Sequence, residues 1–141
     1  MKKGVVFSAL ALIGLLLVGC QSAPPTHTQN QVETISGTLV YRERIALPPD
    51  AMVTVVLQDV SLADAPAKVI AKHKFETNGA QVPLAFDLAY RTDKINPRHR
   101  YSVSARIEIG GQLHFITDTS YPVITDSEST DKINLRLVGV N

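Results

Sequence analysis

From residue 35 onward the chain alternates apolar and polar positions in short runs, the period of strands with one buried and one wetted face. Ile35, Gly37, Leu39 and Tyr41 oppose Ser36, Thr38, Val40 and Arg42. Leu47-Pro48-Pro49-Asp50 stops that run, because neither proline can donate to a ladder. Met52 to Asp59 is dense in β-branched residues and sets Val53, Val55 and Leu57 on one face. After a connection from Val60 to Pro66, alternation resumes over Lys68 to Thr77: Val69, Ala71, His73 and Phe75 oppose Lys68, Lys72, Lys74 and Glu76, and only Ile70 breaks step. Asn78-Gly79, both tolerant of positive φ, predicts a tight turn and a hairpin onto Val82 to Tyr90, where Val82, Leu84, Phe86, Leu88 and Tyr90 share a face. Arg91 to Arg100 is polar and basic, a loop with room for one helical turn. Tyr101, Val103, Ala105, Ile107 and Ile109 alternate as far as Gly110-Gly111, a second two-residue turn, and Leu113, Phe115 and Thr117 return. Pro122 bends or ends that strand, Thr125 to Asp131 is an acidic loop, and Ile133, Leu135 and Leu137 form the last strand. Seven strands, two hairpins and no helical period predict an all-β domain over 34–141, the pattern of a sandwich or a barrel, with a single antiparallel β-sandwich of immunoglobulin-like or transthyretin-like kind as the expected form.

The start of the chain follows a different rule. Lys2 and Lys3 precede the uncharged apolar run Val5 to Cys20, which is short of the roughly 20 residues that a membrane span needs. It reads as a secretory signal peptide over 1–19. Its close, Leu17-Val18-Gly19-Cys20, resembles the bacterial lipobox. Gly19 leaves a peptidase unobstructed, Leu17 suits an apolar subsite, and Cys20 supplies the nucleophilic sulfur. The resemblance implies cleavage after Gly19 and lipid, palmitate included, on the sulfur and amine of Cys20. At about 0.8 kcal/mol per buried CH₂, two or three acyl chains make an anchor that hardly dissociates. Gln21 stands where an aspartate would imply retention in the inner membrane, so the expected address is the outer membrane, with the domain facing the periplasm. Residues 20–33 then read as the lipidated N-terminus and a polar tether, and a dozen extended residues reach up to roughly 40 Å.

Composition narrows the function. Of 14 Lys and Arg the signal peptide removes Lys2 and Lys3, so the 13 Asp and Glu leave the mature chain near a net charge of −1. That argues against a nucleic-acid partner. Cys20 is the only cysteine, so packing alone holds a domain that works in an oxidising compartment. Aromatics are 6% and Trp is absent, which weakens any aromatic platform for sugars.

Candidate chemistry is sparse. His114 and Asp118 lie four apart on one strand, about 13 Å at ~3.3 Å per residue, too far to share one metal without a bulge. His73 sits on the core face as a histidine with one satisfied hydrogen bond, while His99 and His27 fall in solvated segments. Asp59, Ser61 and Asp64 suit Asx and Ser turns, and Asp64 also suits the N-cap of a short turn through Ala65-Pro66. No phosphate loop, nucleophile elbow, HExxH or paired Cys/His spacing occurs, so neither catalytic residues, nor a cofactor, nor a metal is expected. The one local charge imbalance is Arg91, Lys94, Arg98 and Arg100, a candidate contact for an anion or an acidic partner patch; its plainer reading is a solvated loop that keeps neighbouring edges from pairing.

Two blocks carry a wider resemblance: Ala46-Leu47-Pro48-Pro49-Asp50-Ala51, and Asp59-Val60-Ser61-Leu62-Ala63-Asp64-Ala65-Pro66. With Phe115-Ile116-Thr117-Asp118-Thr119, they resemble the YbaY-type lipoproteins, grouped with the YscW-type lipoprotein chaperones of type III secretion. The resemblance implies a compact antiparallel β-sandwich on an outer-membrane anchor and, through the chaperone branch, binding of a secretin or other envelope polypeptide. The expected function is a non-enzymatic, pilotin-like binding module, partnered by the membrane through its lipid. A structural or stress-related envelope lipoprotein without a dedicated client stays open, and a hydrolase or sugar-modifying enzyme is the remotest reading.

Overall fold

The computed structural model describes Gly19 and residues 31–141. The rest of the signal peptide, Cys20 and residues 21–30 lie outside the described residues. Eight strands follow one another: β1 (Val32–Val40), β2 (Met52–Asp59), β3 (Lys68–Glu76), β4 (Leu84–Arg91), β5 (Tyr101–Ile109), β6 (Gln112–Thr117), β7 (Pro122–Val123) and β8 (Lys132–Gly139). The single helical turn of the basic loop is a 3₁₀ turn at Thr92–Lys94. The strand beyond the seven expected is β7, where Val123 and Pro122 face Tyr101 and Ser102 of β5. β1 begins at Val32, inside the segment read as tether.

The strands hydrogen-bond along one continuous path, β3-β2-β5-β6-β8-β1-β4. This nearly closed, barrel-like path does not confirm the expected two-sheet sandwich. The link is β8, whose Lys132 to Arg136 pair with β1 and whose Leu137 to Gly139 pair with β6. Nor is the sheet wholly antiparallel, because the β1–β8 pair is parallel. Gly37 admits that pair: a Cβ there would stand 1.7 Å from the Ile133 carbonyl oxygen. β1, β3, β5 and β8 run from the base, where β1 begins, towards the top, and β2, β4 and β6 run back.

Inside lies one core. Val53, Val55 and Leu57 of β2, Val103 and Ile107 of β5, Leu88 of β4, Ile35 and Leu39 of β1 and Leu135 of β8 have no exposed surface. Each such side chain contributes about 1.5–3 kcal/mol by leaving water. Tyr41 closes the top by stacking on Phe115, ring centroids 4.2 Å apart. Gly110-Gly111 turns β5 into β6 with both glycines at positive φ, as expected.

Two details depart from simple alternation. Leu57 pairs Ala71 but Gln58 pairs Val69, so Ile70 is an extra residue, a bulge. That explains the broken step at Ile70, and it turns Val69 outward to 48% exposure instead of into the core. Likewise Ile107 pairs Phe115 and Glu108 pairs Leu113, which leaves His114 as the extra residue of β6.

Candidate partner-binding seam

β3 and β4 end the hydrogen-bonded path, each paired on one side only. The hairpin expected from Asn78-Gly79 does not form. Both residues do take positive φ, and the chain reverses there, but β3 pairs with β2 while β4 pairs with β1. The loop of residues 77–83 is therefore a crossing between the two ends of the path. Across the seam β3 and β4 touch without a ladder between them.

At the top the seam is latched. The Gln81 side-chain amide accepts from the Leu47 N–H at 2.8 Å and donates to the Leu47 carbonyl at 2.9 Å. The Thr77 hydroxyl donates to the Pro48 carbonyl at 2.7 Å, and the Asn78 N–H donates to the Pro49 carbonyl at 2.9 Å. The block from Ala46 to Ala51 thus clamps the β3–β4 crossing.

Towards the base the seam opens. A groove of about 320 Å³ lies between Ile70 and Ala71 of β3 and Ala89, Tyr90 and Arg91 of β4, bordered by Val32 and Lys94. Its two lips differ. On β4 the inward residues Leu84, Phe86, Leu88 and Tyr90 are all buried, whereas on β3 the inward Ala71, His73 and Phe75 are only half-buried. His73 does not find the partner expected of it: its ring packs on Phe75 at 5.0 Å, and its buried Nδ1 has no hydrogen bond among the described residues. Tyr90 is better held, donating to the Glu33 carboxylate at 2.9 Å; burial, and behind it the hydrogen bond to Glu33 and the Glu33 charge, push its phenol up.

The basic residues divide between two places. Arg91 and Lys94 border the seam groove, and the Asp93 carboxylate takes up the Arg91 guanidinium through two hydrogen bonds, raising its pKa. Arg100 lines a separate cavity of about 450 Å³ with Tyr101, Ser120 and Asp126. Arg98 is exposed and lines neither. These four cations therefore do not converge on one anion site.

The second sequence block, Asp59 to Pro66, closes the base of β2. Asp59 Oδ1 accepts from the Ser61 N–H at 3.0 Å and from its hydroxyl at 2.6 Å, the Asx turn expected of these residues. The other oxygen, Oδ2, meets His99 Nδ1 at 2.6 Å, so His99 is engaged rather than solvated. The Arg100 N–H donates to the Ser61 hydroxyl at 2.8 Å. The Ser61 hydroxyl comes first in holding the Asp59 carboxyl at about 2; the Ser61 N–H and His99 add to it against the opposing effect of burial. Ser, His and Asp side chains meet here, but the carboxylate stands between the other two. The serine hydroxyl is directed at the acid rather than at the imidazole, so the cluster fastens two loops and does not activate a nucleophile. Asp64 caps no helix, since Ala63-Asp64 form only a turn. No group of three His, Cys, Asp or Glu side chains suited to a metal occurs among the described residues.

The type III secretion system lipoprotein chaperone family, YscW, matches residues 30–135 by its family model. This chain belongs to the YscW family. It is also 44% identical over 110 residues to the uncharacterized lipoprotein YbaY of Escherichia coli (strain K12), a match covering 78% of this chain. The chain spans 57% of the length of that curated relative. Among solved structures it resembles an alternative pilotin from the type II secretion system of Vibrio cholerae, with 63% identity, a TM-score of 0.77, and coverage of 79% of this chain and 99% of that one. The family and the solved neighbour are chaperone and pilotin chains rather than enzymes, and the curated relative is a lipoprotein. The two blocks that carried the resemblance in sequence sit at opposite ends of β2, one latching the top and one fastening the base.

Proposed function

We propose that this chain is a pilotin: a lipoprotein, anchored by lipid on Cys20 in the outer membrane, that holds a secretin-class polypeptide in the periplasm and escorts it into place. The observation that carries the reading is the 63% identity, over 99% of its length, to a chain solved as a pilotin. The seam supports it, because β3 and β4 are the two ends of an otherwise paired path, and unpaired edges are where a polypeptide without a folded partner can be held. The segment 20–33, read as a tether and extending to β1 at Val32, keeps a client within about 40 Å of the bilayer. The cavity near Arg100 offers no converged acid and base, which leaves hydrolysis without support.

Deletion of the gene, with complementation by the full chain or by Cys20→Ser, tests the reading. The expected outcome is loss of heat-resistant secretin multimers from the outer membrane, restored by the parent and not by the variant. Normal multimers in the deletion strain, with altered envelope permeability instead, would overturn it in favour of a structural envelope lipoprotein.

A further inference from the structure

We infer that the seam receives the client as an added strand: an extended, acidic segment that runs antiparallel to β4, with aliphatic side chains turned into the groove. This rests on the pilotin reading and goes further by naming how the client is held and what chemistry it has.

Direction comes from topology. β3 runs from base to top and β4 from top to base, so no inserted strand is antiparallel to both. The better template is β4. Its register with β1 is unbroken from Val32↔Arg91 to Leu39↔Leu84, and its inner face is fully packed. β3 is bulged at Ile70 and packs loosely. An antiparallel ladder is also slightly the stronger per residue. Main-chain groups on the seam edge of β4 supply affinity, and β3 meets the client mostly through side chains.

Side-chain preference comes from the two faces. The groove has an apolar lining in Val32, Ile70, Ala71 and Ala89, and its 320 Å³ suits one or two aliphatic side chains. Outside it, β3 presents Lys72 and Lys74, neither of which forms a salt bridge among the described residues; the bulge at Ile70 puts Lys68 on the other face, beside Asp59. Glu76 is the one acid on β3, and Asp87 the one on β4. An acceptable strand therefore alternates aliphatic and acidic residues, in register with the groove and the lysines.

The test uses the full chain in cells that make the type II secretin, with a photo-crosslinking amino acid at Val69, at Ala89, or at Leu113 on β6. Adducts from Val69 and Ala89 are expected to map to one extended, acid-bearing secretin segment, and Leu113 to give none. Lys72→Glu and Lys74→Glu together should lower those adducts about tenfold, with Lys→Gln at the same positions weaker in effect and Lys132→Glu without effect. An unchanged thermal transition certifies that each variant is folded. Adducts to residues 21–30 of the same chain, to a second copy, or to a helical secretin segment would overturn the inference. So would secretin that co-purifies with the chain yet gives no seam adduct, which would leave the pilotin reading intact. Absence of co-purifying secretin, with normal multimers in the deletion strain, would remove both.

Discussion

β8 reaches β1 from almost the far end of the chain, and the two form a sealed, parallel, hydrogen-bonded pair. β3 and β4 are neighbours in sequence, joined by a favourable turn, and stay unpaired. Proximity along the chain loses here to side-chain fit. Gly37 faces the Ile133 backbone on one side and stands in register with Phe86 of β4 on the other, so the missing side chain lets β8 approach while β1 keeps its pairing with β4. Ile35 opposite Leu88 and Leu39 opposite Leu84 extend that match. β4 thus buries its whole inner face by pairing with β1, and no comparable set on β3 competes for it. The open seam is the consequence.

The sealed pair is the easier one to break. Gly37→Ala would set a Cβ 1.7 Å from one backbone oxygen and 2.8 Å from its carbon, and neither can swing aside as a side chain could. The strands must part, so a loss of about 3 kcal/mol or more is expected, read as a lower urea midpoint. Gly110→Ala is the control: its site is open space but its φ is +60°, so strain alone acts, at about 1 kcal/mol. Equal effects from the two variants would refute the account of the β1–β8 contact.

Much of this was readable beforehand, and the parts that were not share a cause. Alternation located the seven long strands because burial on one face leaves a period of two, and the broken step at Ile70 coincides with a bulge that only the pairing with β2 reveals. Turn chemistry at Asn78-Gly79 reports only that the chain reverses; which strand β3 then pairs with depends on residues far away. The Asp59–His99 contact joins positions 40 apart, and the groove joins Val32, Ile70 and Ala89, so neither leaves a local pattern. Arg91, Lys94, Arg98 and Arg100 read as one basic group because they are close in sequence, yet folding spreads them between two cavities and solvent.

The latch at the top of the seam sharpens the comparison from the other side. Gln81→Ala removes both bonds to Leu47, a residue only 3% exposed, and leaves a main-chain donor and acceptor without partners. The expected cost is about 1–3 kcal/mol. Amide hydrogen exchange should rise in β3 and in the top of β4 and stay unchanged along β1 and β8. A uniform rise over all strands would mean that the seam is not a separately opening unit.

At the base, Asp59 offers a smaller and pH-dependent effect. Its carboxyl is held at about 2, below its ordinary 3.8, by Ser61 first and His99 after it. A depressed folded pKa means that the charged form is the stabilised one. The contribution is therefore complete above the ordinary carboxylate range, declines as pH falls through it, and is gone below about 2. Asp59→Asn should cost about 1 kcal/mol at pH 6, where the charged acceptor is lost from both the Ser61 and His99 contacts, and only a small fraction of that near pH 2, where the carboxyl is half protonated. Because this cluster ties the Asp59–Pro66 loop to the basic loop that borders the groove, the variant should also speed amide exchange at Ser61 and Arg100 while leaving the Gln81 latch untouched. A stability difference that stays constant from pH 6 to pH 2 would show that the carboxylate's charge has no part in fastening the base.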